Sequence, residues 1–147
     1  MTRRLPRLFL MLTCVSALVA LTPRGAQAQG EMTITVGAEG TLLARGVAAT
    51  VPMEITCGPL EVDPRFTEAI AELQQAVKHR IAHGLGFPEQ PIVCDGTPHP
   101  NIATVMADDS GPPFRKGDAV VGVFVRVGNE TFCCIIGRSE IQTIKLR

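Results

Sequence analysis

One short stretch of the sequence, CDGTPHP from Cys94 to Pro100, carries the residue types that metal sites and acid–base pairs use. Asp95 and His99 are its candidate ligands or acid–base partners, because a carboxylate beside an imidazole can bind a metal or transfer a proton. No further ligand follows nearby, and Asp-Gly with two prolines is typical of a rigid turn. We therefore expect a turn after a strand, with Cys94 in a disulfide.

The stretch KHRIAH places His79 and His83 four residues apart. On a helix that spacing brings two imidazoles to one face, where they can hold zinc, but a zinc site needs at least a third ligand. On a strand the two residues lie about 13 Å apart, at about 3.3 Å per residue, which is too far to share a metal. We expect two surface histidines.

The segment ADDSGPP, which follows the apolar stretch IATVM, contains the Asp-Ser-Gly sequence found in the nucleophile loop of chymotrypsin-like proteases. A nucleophile at Ser110 needs a histidine base and an orienting acid, and no matching histidine motif occurs. Asp108 and Asp109 lack the alternating oxygen ligands of a calcium loop. The sequence predicts a turn here. For the chain as a whole it predicts no catalytic residue, no cofactor and no metal.

Four cysteines follow the N-terminal apolar run: Cys57, Cys94, Cys133 and Cys134. In an exported chain an even number of cysteines indicates disulfides, and four cysteines can pair in three ways. Cys57 and Cys94 share the apolar face of their strands, so they form the expected bond. The adjacent Cys133 and Cys134 would point to opposite faces of a strand. The sequence leaves three possibilities for these two cysteines: a strained disulfide between them, two free thiols, or a disulfide to another chain.

The N-terminus indicates export. Arginines precede an uncharged apolar run at 8–21, and an Ala-Gln-Ala tripeptide at 26–28 has the pattern of a signal peptidase site. Cleavage there predicts a signal peptide over 1–28 and a single secreted, extracellular domain over 29–147. The apolar run is short for a membrane span, so we expect no integral span after cleavage.

The remaining domain is mildly acidic. The chain has 14 Lys+Arg and 14 Asp+Glu, and four arginines fall in the predicted signal peptide, so 10 − 14 gives a net charge of −4. An acidic domain without a run of Lys or Arg does not favour nucleic-acid binding. The sequence leaves open whether the partner is a cell-surface protein or a small ligand. The sequon at Asn129 predicts glycosylation only in a host that modifies such sites.

Alternation with a period of two places these residues on β-strands. From Val47 to Cys57 the odd positions are apolar and the even ones mostly polar, as a half-buried strand requires. GDAVVGVFVRVG (117–128) repeats the pattern. Pro52, on the polar face, predicts an edge strand or a bulge. Shorter candidate strands are MTITV (32–36), TLLAR (41–45), PIVC (91–94), IATVMA (102–107), TFCCII (131–136) and IQTIKL (141–146).

Many short strands separated by Gly- and Pro-rich turns predict an all-β sandwich or barrel. One segment, FTEAIAELQQAVKHRIAHGLG (66–86), departs from this pattern, because its large apolar residues have helical spacing. Composition alone favours an amphipathic helix near 66–83. The alternative fold is therefore a β-sandwich with one helix.

The motifs MEITC, CDGTPHP, FRKGDAVVGVFV and IQTIKL, in this order, resemble a family of small, largely uncharacterised secreted proteins of actinomycete-type bacteria. The resemblance implies an immunoglobulin-like antiparallel β-sandwich of about 7–9 strands. It also implies two strands between the first two cysteines, and hence a hairpin with its turn near Lys78-His79. The chain departs from the family at Asn101, where an aromatic residue is common, and at its adjacent cysteines. The matching positions are Cys57, Cys94, Gly96, His99, Pro100, Phe114, Gly117 and Ala119.

These observations predict a secreted, non-enzymatic β-sandwich module with a binding or structural role. One alternative is a carrier of a small apolar ligand, by analogy with chromophore-binding apoproteins of similar size. Another is a thiol-dependent redox protein that uses Cys133 and Cys134, since a bond between neighbouring cysteines is readily reduced.

Overall fold

The computed structural model describes residues 31–60, 66–128 and 135–147. The predicted signal peptide, the sequon and the adjacent cysteine pair lie outside these residues. Within them the chain forms nine β-strands and a 3-10 turn at Ala44–Gly46, and no α-helix.

The strands are numbered in chain order. They are β1 (Met32–Val36), β2 (Glu39–Leu43), β3 (Ala48–Cys57), β4 (Phe66–Val77), β5 (Arg80–Pro88), β6 (Pro98–Ala107), β7 (Gly117–Gly128), β8 (Ile135–Arg138) and β9 (Gln142–Leu146).

Seven of these strands close into a barrel. Their order around the ring is β3-β2-β9-β7-β4-β5-β6, and pairing of β6 with β3 completes it. Neighbours in the ring are antiparallel except β2 and β9, which are parallel. The two additional strands, β1 and β8, pair with β3 and β7. In a closed ring the backbone N–H and C=O groups at both edges of each long strand find hydrogen-bond partners without a second sheet.

The expected immunoglobulin-like β-sandwich is therefore wrong. A sandwich consists of two separate sheets, whereas β3 is bonded to β2 on one edge and to β6 on the other, so the sheet is continuous. The structure is nonetheless all-β, and the hairpin is confirmed: β4 and β5 are joined at Lys78-His79. The alternative helix near 66–83 is wrong, because Ala71, Leu73 and Gln75 face inward with a period of two.

Pro52 does not lie on an edge strand, since β3 is paired along both sides. Its carbonyl accepts a bond from the Gly37 N–H, 2.8 Å away, on the side where β1 pairing stops and β2 pairing has not begun. The missing proline donor thus falls at a break in that ladder. The expected strand PIVC (91–94) is also wrong: these residues are irregular and belong to the connection between β5 and β6.

Inward side chains fill the barrel. The alternate apolar residues of β3 and β7 point inside, as their periodicity predicts, and those of β7 are at most 3 % exposed. The largest fully buried side chain, Phe114, comes instead from the β6–β7 connection. Its ring packs beside Gly84, where an added Cβ would lie 3.0 Å from the ring and collide with the Met106 carbonyl. Glycine therefore permits both the close approach of β5 to β6 and the insertion of this ring.

The β6–β7 connection is held in place by a buried amide. Gln75 accepts a hydrogen bond from the Arg115 N–H (2.7 Å) and donates to the carbonyls of Arg115 (2.8 Å) and Asp118 (3.2 Å). The Phe114 N–H donates to the Gly46 carbonyl, 2.8 Å away. These bonds satisfy a buried polar side chain and fix the backbone on both sides of the inserted ring.

Candidate functional site

Residues 94–97 form a turn fastened to the end of β3, and the rest of the stretch, from Pro98, already belongs to β6. A disulfide joins Cys57, the last residue of β3, to Cys94, with Cα atoms 4.5 Å apart. The Gly96 N–H donates to the Cys57 carbonyl at 2.9 Å, which adds a backbone bond beside the covalent one. Both bonds hold the turn that precedes β6.

Within this turn one carboxylate oxygen collects three partners. Asp95 Oδ1 accepts from the Thr97 N–H (2.8 Å) and hydroxyl (2.7 Å), and lies 3.0 Å from His99 Nε2. The Thr97 hydroxyl, its N–H and then His99 lower the pKa of Asp95 from 3.8 to about 2. The carboxylate is therefore ionised at neutral pH and organises the turn.

This cluster lacks the geometry of a catalytic triad. In a triad the acid contacts one imidazole nitrogen and the nucleophilic hydroxyl contacts the other. Here Asp95 Oδ1 and Thr97 Oγ1 both lie beside the same nitrogen, Nε2 of His99, at 3.0 and 3.1 Å. The Thr97 hydroxyl donates its proton to Asp95 at 2.7 Å, so the proton is directed to the carboxylate and not to the imidazole. The arrangement is that of a stabilised turn, as the sequence predicts.

The two histidines of KHRIAH are not brought together. His79 lies in the β4–β5 turn, whereas His83 lies on β5 with its Nε2 atom 3.1 Å from Glu72 Oε1. Gln74 donates to the same oxygen at 2.7 Å. The Gln74 amide, and after it His83, lower the pKa of Glu72, so this exposed carboxylate is ionised at neutral pH.

Asp108 and Ser110 form a turn after β6. Asp108 Oδ1 accepts from the Ser110 N–H at 2.9 Å, and the Ser110 N–H and hydroxyl lower the pKa of Asp108. The Ser110 carbonyl accepts a bond from Arg80 Nη2 at 2.7 Å. These contacts use Ser110 to close a turn, as expected.

Across residues 31–60, 66–128 and 135–147, no group of three or more His, Cys, Asp or Glu side chains is arranged to hold a metal ion. In the same part of the chain no helix has the length and apolar character needed to cross a membrane.

The outer surface of β5 and β6 is the least expected feature of the molecule. The small residues of β5, which are Ala82, Gly84 and Gly86, point into the barrel. Its large apolar residues therefore point outward. Ile81, Leu85 and Phe87 are 63, 49 and 65 % exposed. Strands that cover a core normally have the opposite arrangement.

Neighbouring residues of β6 extend this surface. Met106 lies directly opposite Leu85 and is 53 % exposed, and Ile102 lies two outer-face positions further along β6, beyond Thr104, and is 43 % exposed. We call this surface the β5–β6 face. It consists of Ile81, Leu85, Phe87, Ile102 and Met106. Its exposed apolar area is on the order of 400–500 Å², in the range where the largest patch of a monomer is often functional.

Carboxylates border the face on its β4 side and beyond Phe87. Glu72 lies opposite Leu85 on β4, and Glu89 follows β5 and accepts a bond from Thr104 at 2.6 Å. An open cleft of about 400 Å³ lies beside Phe87, between the start of β4 and residues 88–92. The face thus has a cleft at its Phe87 end and carboxylates at its margin.

Sequence reasoning missed this face. The signal was present in IAHGLGF (81–87), where the odd positions are large and, apart from His83, apolar, and the even ones are alanine or glycine. Side-chain size alone would turn the large residues inward. They point outward because the Phe114 ring, supplied by a distant connection, already fills the space beside β5.

Comparison with known proteins adds no relative: no family model matches the chain, and no curated protein matches it. The class that fold and surface define is a small disulfide-linked β-barrel with an exposed apolar face.

Proposed function

We propose that the protein is an exported, non-catalytic binding module, and that its β5–β6 face docks on another protein. The observation that carries this proposal is the outward placement of Ile81, Leu85 and Phe87 on a strand with small residues inside. Contact of this apolar surface with water contributes nothing to the stability of the isolated barrel, whereas burial against a partner is favourable.

A protein surface fits the shape of this face better than an enclosed small molecule does. Small-ligand sites are concave and bury most of the ligand, whereas the face is on the outer surface of a closed barrel. The barrel interior is filled by residues such as Leu73 and Phe114, which are fully buried. Phe87 and Met106 belong to residue types that are enriched at protein interfaces.

The margin of the face indicates the chemistry of the partner. The carboxylates of Glu72 and Glu89 lie beside the apolar residues, and Glu54 lies on β3 two residues from the position opposite Ile102. Opposite charges at an interface rim accelerate association and exclude wrong partners. We therefore assign a partner whose apolar surface carries lysine or arginine at its edge.

Two further observations support export and the absence of catalysis. A buried disulfide such as Cys57–Cys94 forms and persists in oxidising compartments, in keeping with the predicted signal peptide. The polar groups with catalytic potential, around Asp95 and Ser110, are used to close turns. Intact mass of the purified secreted protein tests export directly, because cleavage after Ala28 and loss of two hydrogens at the disulfide change it by known amounts.

Photocrosslinking in the producing cells tests the docking face. The crosslinking residue p-benzoyl-phenylalanine replaces Phe87 in one variant and Ile141 in a matched control. Ile141 is 79 % exposed and lies just before β9, on the opposite side of the ring. We expect an adduct with a different protein from position 87 and none from position 141.

A second pair of variants measures the contributions to affinity with the partner that the adduct identifies. Burying the exposed part of Phe87 would contribute about 2 kcal/mol, so Phe87→Ser should weaken binding about 30-fold. The double variant Glu72→Gln/Glu89→Gln should slow association, and more so at low salt. The proposal is overturned by equal adducts at 87 and 141, by no adduct from folded protein, or by an adduct of twice the protein's own mass.

A further inference from the structure

A cleft of about 740 Å³ opens where the β4–β5 turn approaches the β6–β7 connection. It lies at the end of the barrel away from Phe87. Lys78, His79 and Arg80 line it from the turn, and Arg115 lines it from the connection. None of the residues that line it is acidic. In a domain whose predicted net charge is −4, this is a local concentration of positive charge.

The position of Arg115 is fixed from inside the barrel. Gln75 is 5 % exposed and bonds both the N–H and the carbonyl of Arg115, while the preceding residue, Phe114, is fully buried. This anchoring uses only the backbone of Arg115. Its guanidinium is left to line the cleft, on a backbone that needs little reorganisation when a ligand binds.

The guanidinium of Arg80 is oriented by a hydrogen bond to an uncharged group. Its Nη2 atom donates to the Ser110 carbonyl at 2.7 Å, and the turn that presents this carbonyl is closed by Asp108. A carbonyl orients a guanidinium without cancelling its charge. Lys78 occupies the turn itself, with φ 56°.

These positive charges are not neutralised by ion pairs. Among the residues that the structure describes, no carboxylate lies within ion-pair distance of Lys78, Arg80 or Arg115. The nearby Asp108 carboxylate is engaged by Ser110. Unpaired cations that share a cleft repel one another and attract anions.

We propose that this cleft binds a sugar-sized ligand through its phosphate or sulfate ester groups. A guanidinium fork matches the oxygen geometry of these groups, and a lysine adds a point charge. Arg80 and Arg115 supply two such forks from opposite walls, and Lys78 supplies the ammonium. The cleft is several times larger than one inorganic anion, which favours a ligand with several charged groups. The site is separate from the β5–β6 face, so either proposal can fail without the other.

Calorimetric titration with chosen probes tests the site. The probes are inositol hexakisphosphate and sucrose octasulfate, with inositol, sucrose and inorganic phosphate as controls. We expect both polyanions to bind, inorganic phosphate to bind more weakly, and the neutral sugars not to bind. A preference for one polyanion distinguishes a phosphate ester from a sulfate ester as the natural group.

Variants that each remove one positive charge test whether the polyanions bind in this cleft. Arg115→Gln and Lys78→Gln should each weaken binding about three- to tenfold, while Arg138→Gln, which removes a cation from β8, should leave it unchanged. Gln75 bonds only the backbone at 115, so Arg115→Gln keeps the loop anchored. In ¹H–¹⁵N NMR spectra the amides of 76–80 and 114–116 should move most.

Several results would overturn this proposal. They are the absence of polyanion binding to the folded protein, an effect of Arg138→Gln as large as that of Arg115→Gln, and amide shifts spread over the whole surface. The last two would indicate general charge attraction without a site.

Discussion

Loss of the Cys57–Cys94 disulfide should remove a large part of the stability of the domain. The bond closes a loop with a sequence separation of 37. The chain-entropy model gives about 4 kcal/mol at 25 °C for a loop of this length. For a domain of about 120 residues this corresponds to a fall in melting temperature of about 12–16 °C.

The assay compares oxidised protein, reduced protein and the double variant Cys57→Ala/Cys94→Ala in urea. Reduction leaves both sulfur atoms in place and isolates the effect of the loop. The double variant also empties a site at Cys57 that is fully buried, so it should be less stable than the reduced protein. The chain has no Trp and no Tyr, so far-ultraviolet circular dichroism is the appropriate signal.

Two results would contradict the reasoning on this bond. One is a difference below about 1 kcal/mol between oxidised and reduced protein, well under the usual range. The other is a urea unfolding curve of the double variant whose slope and midpoint equal those of the oxidised parent protein. As a control, reductant added to the double variant should have no effect. A further shift there would report a second bond, at Cys133 and Cys134.

Two further perturbations test the interior and the stapled turn. Phe114→Ala should cost about 3–5 kcal/mol, because the ring is fully buried and alanine leaves a void beside Gly84. A urea midpoint within error of the parent would show that the ring does not fill the barrel. The Asp95 carboxyl should titrate near its folded pKa of about 2, below the ordinary 3.8, since Thr97 and His99 bond its ionised form. Because the folded pKa is the lower one, the stability that this carboxylate contributes is complete above about pH 4 and is lost as the pH falls towards 2. Carbon-13 NMR of the carboxyl group follows this directly, and titration near 3.8 would contradict it.

Alternation in the sequence was sufficient to place β3 and β7, because β-branched residues at every second position leave one face for the core. It could not decide between a sandwich and a barrel. That choice depends on which strands pair across long separations, such as β3 with β6 and β2 with β9. Periodicity specifies the two faces of a strand but not its neighbours.

The candidate sites also differ in whether neighbouring or distant residues determine them, and only the first kind could be predicted. The turn after Cys94 was predictable, because Asp95-Gly96 acts locally, although Pro98 and Pro100, which also favoured a turn, lie on β6. The β5–β6 face was not, because the direction of Leu85 and Phe87 depends on Phe114, which enters from another part of the chain. The cationic cleft was missed for a similar reason: Lys78 and Arg115 are distant in sequence and meet only after Gln75 anchors the connection.

The parallel contact of β2 with β9 sets the order in which the molecule can be completed. The Leu42 N–H donates to the Arg147 carbonyl, and the Lys145 N–H to the Ala38 carbonyl, at 3.0 and 2.9 Å. Among the described residues β9 is the last of the seven ring strands along the chain, and it pairs with both β2 and β7. The ring therefore cannot close before residues 142–146 are available, and until then the backbone of β2 lacks one neighbour. Closure joins segments that are far apart in sequence, and such contacts slow folding.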